Sequence, residues 1–106
     1  MIAALTLAGG SPAQALSFED IAGKWCTGIG TALFTRDKLT VTLASSGQKI
    51  ELKVEGYEFD ETQITVKWVT GQNKHTSTPY RDFSADRRMM VQPATSDGPR
   101  RELHRC

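Results

Sequence analysis

In "KLTVTL", Leu39, Val41 and Leu43 alternate with threonines, and after Ser45-Ser46-Gly47 the alternation resumes with Ile50, Leu52 and Val54 set against Glu51 and Lys53. A period of two makes one face apolar and the other polar, so this stretch predicts a hairpin with one buried face. "QITVKWV" continues the pattern through Ile64, Val66 and Trp68, with Thr65 and Lys67 turned out. Turn-forming clusters recur at "TRDK", "SSGQ", "FDET", "TGQN", "SADR" and "SDGP". They separate short runs over residues 24–27, 31–35, 38–44, 48–54, 56–60, 62–69, 74–83, 87–93 and 100–105, some adjacent ones forming a single bent strand.

Helix has little room. "LSFEDIAGKW" offers a start signal, with Ser17 three residues before Asp20, and Gly23 stops it, so one helical turn should lead into the first strand. No spacing suits a parallel crossover. The expected class is therefore all-β, an antiparallel meander of seven or eight short strands arranged as a sandwich or a closed barrel.

The first fifteen residues depart from this pattern. They are uncharged and largely apolar, and Ala13-Gln14-Ala15 has the small-x-small form at which signal peptidase cuts, although no Lys or Arg precedes Lys24. We expect residues 1–15 to be a signal peptide, either whole or truncated at its N-terminus, and residues 16–106 to form a single exported domain, periplasmic or secreted. About 90 residues make a small core, and small exported domains commonly recruit a disulfide.

The chain has two cysteines, Cys26 and Cys106. In an oxidising compartment they are expected to pair, which requires their Cα atoms to lie within about 7 Å. The first and last strands would then be neighbours, and a meander whose ends touch is a closed barrel. The alternatives are free thiols or a metal site, but two cysteines with His104 nearby are an incomplete set for structural zinc.

Gly23-Lys24-Trp25, at the start of the first strand after a helical turn, resembles the G-x-W motif of lipocalins and the wider calycin-type group of up-and-down barrels. That resemblance implies that Trp25 plugs one end of the barrel while an arginine from the closing strand, Arg105 or else Arg101, packs over its indole. Cys26 and Cys106, the next residue on each strand, would then meet on the outer face.

A barrel of eight short strands has an interior just wide enough for side chains or one small ligand. The expected inward set is Trp25, Leu33, Leu39, Val41, Leu43, Ile50, Leu52, Val54, Phe59, Ile64, Val66, Trp68, Met89, Val91 and Leu103, bulky enough to fill it. If a cavity remains, Trp25, Trp68, Tyr57, Tyr80, Met89 and Met90 suit an apolar ligand.

Charge narrows the functional classes. Thirteen basic and twelve acidic residues leave a formal net charge of +1, which argues against a dedicated nucleic-acid or membrane-surface binder. "KWVTGQNKHTSTPYRDF" does mix basic and aromatic residues as single-strand binders do. Neither His75 nor His104 has a nucleophile placed by spacing, the carboxylates of Asp60, Glu61, Asp82 and Asp86 fall at turns, and "TGIG" lacks the context of a phosphate loop. The expectation is a monomeric, non-enzymatic binding module without metal or cofactor, taking an unknown protein or a small apolar ligand. One alternative is an inhibitor of a secreted hydrolase, a protease or lysozyme, acting through a protruding "LSFEDIAG" segment or an exposed turn; another is a small-ligand carrier.

Overall fold

The computed structural model describes residues 15–95 and 98–106. The expected signal peptide thus lies, apart from Ala15, outside the described residues. One helical turn, α1 (Phe18–Ile21), leads into eight strands: β1 (Gly23–Thr27), β2 (Gly30–Phe34), β3 (Lys38–Leu43), β4 (Lys49–Phe59), β5 (Gln63–Val69), β6 (His75–Arg81), β7 (Met89–Gln92) and β8 (Arg101–Arg105). Each pairs antiparallel with the next, and β8 returns to β1 through Trp25↔Arg105 and Cys26↔His104, closing the barrel. Among the described residues no helix is long and apolar enough to cross a membrane.

The disulfide is present between Cys26 and Cys106, with Cα atoms 5.1 Å apart. Since Cys26 lies opposite His104, the bond runs diagonally across the outer face.

β4 joins two of the short runs read from the sequence into one strand. Val54 pairs with Trp68 and Gly56 with Lys67, so Glu55 is an extra residue that bulges. The bulge shifts the parity of everything after it: Ile50, Leu52 and Val54 face inward, and so do Tyr57 and Phe59, which pair with Val66 and Ile64.

The strand connections divide the barrel into two ends. The β2–β3, β4–β5 and β6–β7 connections lie at one end with α1; the β1–β2, β3–β4, β5–β6 and β7–β8 connections lie at the other. Ile21, Trp25, Phe34, Ile64, Val66 and Met90 are buried almost completely, filling the interior from the α1 end.

Several expected inward residues are placed differently. Leu33 is 41% exposed and lies on the outer face, because Trp25 pairs with Ala32 and sets Ala32 and Phe34 inward. Met89 is 42% exposed and pairs with His104, while Met90 points in; Val91 shares the outward parity of Met89. Ile50 pairs with Val41 on the inner face but sits at the rim, 39% exposed.

Between β6 and β7 the ladder consists of one registered pair, Arg81↔Val91. Pro79 has no N–H to offer a neighbour, and proline in a strand is tolerated where the edge is unpaired. The wall is consequently incomplete beside Thr76 to Thr78.

Candidate functional site

At the closed end, the indole of Trp25 is fully buried and its Nε1 donates to the Ile21 carbonyl at 2.8 Å. The guanidinium carbon of Arg105 lies 4.1 Å from the ring centroid. Its Nη1 donates to the Ala22 carbonyl at 2.5 Å and its Nη2 to the Asp20 carbonyl at 3.1 Å, satisfying acceptors at and just beyond the end of α1. Burial and the neighbouring Arg88 pull the Arg105 pKa below its usual value, with Asp20 opposing them. Arg105 rather than Arg101 covers the tryptophan.

The same contact explains the glycine of Gly23-Lys24-Trp25. Gly23 has φ of 101°, and a Cβ there would stand 3.1 Å from Arg105 Nη1. The Asp20 carboxylate ties α1 down further, accepting from the Ser17 N–H at 2.8 Å and pairing with Arg87 Nε at 3.3 Å. Leu16 is buried and its N–H donates to the Asp60 carbonyl. From Leu16 onward, then, the N-terminal segment does not protrude.

Tyr57 also belongs to the closed end. Its hydroxyl donates to the Thr35 carbonyl at 2.6 Å, its ring meets Phe18 edge-on at 5.2 Å, and burial pushes its pKa up to about 12, with Arg36 opposing. Burial raises Tyr80 as well.

The open end is built differently. A space of about 140 Å³ is walled by Ile29, Ala32, Leu39, Val41, Tyr80 and Leu103, with Gln92 and Arg101 on one side. Beside it, along the gap between β6 and β7, a cleft of about 280 Å³ runs past Trp68, Thr76 and Thr78 to Lys74, again bordered by Gln92 and Arg101. Trp68 is held in place by its Nε1 donating to Thr78 Oγ1 at 2.9 Å.

Of the residues expected to line a ligand space, Trp68 and Tyr80 do so, Met90 is packed in the core beneath, Trp25 and Tyr57 lie at the other end, and Met89 is on the outside. Gln92, Arg101 and Lys74 were missed as site residues. Arg101 was expected only as the alternative to Arg105 over Trp25.

In "KWVTGQNKHTSTPYRDF" the aromatic residues form no exposed stacking platform: Trp68 is half-buried and Tyr80 is in the core. His75 Nδ1 lies 2.8 Å from Glu55 Oε1 on the exposed surface. Among the described residues no cluster of three or more His, Cys, Asp or Glu could hold a metal ion.

Fold and geometry together define a small, disulfide-closed, eight-stranded antiparallel barrel with one plugged end and one open end. Compared with family models, curated proteins and solved structures, the chain matches none of them.

Proposed function

We propose that this chain is an exported, non-catalytic binding module that engages its ligand or partner through the open end of the barrel. One observation carries the reading. The interior is filled and capped from the α1 end by Ile21, Trp25 and Phe34, whereas at the other end a space against Ala32, Leu39, Val41, Tyr80 and Leu103 adjoins a cleft lined by Trp68, and Gln92 and Arg101 border both. A disulfide between the first and last strands is compatible with the periplasm or the extracellular medium. Kinship with lipocalin-like barrels is part of the proposal, supported by the Gly23-Lys24-Trp25 motif and the Arg105 contact over Trp25.

Burial of Leu16 and Ile21 does not favour inhibition of a secreted hydrolase through the N-terminal segment. An inhibitor would have to use an exposed turn, and Ile29, 46% exposed between β1 and β2, is such a residue at the open end.

The test is native mass spectrometry of the protein isolated gently from the cells that make it. A retained mass is expected, lost in a Trp68→Ala/Gln92→Ala variant and kept in a closed-end Glu61→Ala variant. A bare chain, or retention indifferent to the open-end changes, would overturn the reading.

A further inference from the structure

β8 alternates, so Arg101, Leu103 and Arg105 all face inward, yet the two arginines have different surroundings. Arg105 spends its donors on backbone carbonyls. Arg100, next along and outside, pairs with Glu102 at 3.2 Å. The side chain of half-buried Arg101 has no hydrogen bond or ion pair to any described residue, although it borders both open-end spaces.

Among the described residues no aspartate or glutamate lines either space, and the other charged residue there is Lys74, which forms no ion pair with a described residue. A guanidinium withdrawn from water gains from an acceptor, and its planar fork suits a carboxylate, which it can hold by two parallel hydrogen bonds. Gln92 stands beside it with a further amide donor.

The neighbouring wall is apolar, and its space of about 140 Å³ is close to that of an apolar cavity known to accept benzene. Charge and size together specify the ligand: one negative group and an apolar body of about six carbons.

We propose that the open end binds a small amphipathic monocarboxylate, its carboxylate on Arg101 beside Gln92 and its apolar body against Ala32, Val41, Tyr80 and Leu103. This rests on the open-end binding role and adds the chemical class of ligand. The partly open seam beside Pro79 gives the carboxylate access from the side, next to Lys74.

The test titrates the folded protein with hexanoate and with neutral hexan-1-ol, followed by calorimetry and amide NMR shifts. Hexanoate should bind at least tenfold more tightly than hexan-1-ol and shift the amides of Ile29, Val41 and Leu103. Arg101→Gln should weaken hexanoate at least tenfold while changing hexan-1-ol less than threefold, and Arg100→Gln should change hexanoate less than twofold. Thermal melts of each variant separate loss of binding from loss of fold.

Equal binding of acid and alcohol, or hexanoate binding that survives Arg101→Gln in a folded protein, overturns the carboxylate assignment but leaves the open-end role standing. No binding of either compound also overturns the assignment. The retained-mass experiment then judges the wider role separately.

Discussion

Replacing Arg105 by alanine removes the side chain that ties the last strand to Trp25 and to α1. The losses are the cation over the fully buried Trp25 ring, the hydrogen bonds to the Ala22 and Asp20 carbonyls, and a long one at 3.5 Å from Nε to the Arg87 carbonyl. A desolvated cation–π contact contributes about 1–2 kcal/mol, and a hydrogen bond to a charged group about 1.5–3 kcal/mol. Because Arg105 is only half-buried, water replaces part of this, and the net loss should be about 2–4 kcal/mol. In a domain of about 90 residues that lowers Tm by roughly 10–25 °C. Arg105→Lys should recover only part of the loss, since one ammonium lacks the fork that reaches two carbonyls at once. The steric argument adds a coupling. Gly23→Ala should destabilise the Arg105→Ala protein less than it destabilises the parent, because the Nη1 atom 3.1 Å from the new Cβ is gone and only the backbone penalty at φ 101° remains. Thermal and urea unfolding of the four proteins give the answer. A Tm drop under about 3 °C for Arg105→Ala, or strictly additive effects, would refute the account of the closure.

Other perturbations reach different parts of the barrel. The Cys26→Ser/Cys106→Ser variant releases a link between residues 80 apart, which the loop-entropy relation values at about 4.5 kcal/mol; calorimetry should show a large fall in Tm, and a fall under about 5 °C would contradict it. Gly30→Ala would place a Cβ 1.9 Å from the Thr42 carbonyl oxygen, so the β2–β3 pairing must shift and the variant should melt well below the parent or fail to fold. Alkaline stability follows the tyrosines. Tyr57 titrates near 10 in the unfolded chain and about 12 in the folded one, so its contribution is complete below pH 10 and declines as pH rises towards 12. Tyr57→Phe should flatten that decline without abolishing it, because buried Tyr80 is raised too; an unchanged slope in urea unfolding between pH 9.5 and 11.5 would count against the assignment.

The alternation in "KLTVTL" and "QITVKWV" was enough to place strands and, with the cysteines, to close the barrel, because polar residues at every second position fix which face is buried. Where both faces are apolar the pattern has no phase. "TALF" sets Ala32, Leu33 and Phe34 in a row, and "MMV" does the same for Met89, Met90 and Val91, so which of them point inward is decided by the strand opposite: Trp25 facing Ala32, Leu103 facing Met90. Tyr57 was misplaced for another reason. It shares β4 with Ile50, but the strand is long enough to run from one end of the barrel to the other, and the Glu55 bulge reverses the parity between them. A single inserted residue leaves no compositional trace beyond Gly56.

The two arginines of β8 show why the site was harder to read than the fold. Four residues apart in a strand, they face the same side about 13 Å from one another, so to a pattern of alternation they are equivalent. What separates them is long-range: α1 folds back to bring the carbonyls of Asp20 and Ala22 to Arg105, whereas the incomplete β6–β7 seam leaves Arg101 beside an apolar wall and a cleft. Arg105 is thereby used up as structure, and its replacement should be felt in stability at every ligand concentration. Arg101 pairs with Gln92 through the backbone, but its side chain makes no hydrogen bond or ion pair to a described residue, so its replacement should leave the melt nearly unchanged and be felt in carboxylate binding. A barrel in which Arg101→Gln unfolded as readily as Arg105→Ala would deny that division between a plugged end and a receptive one.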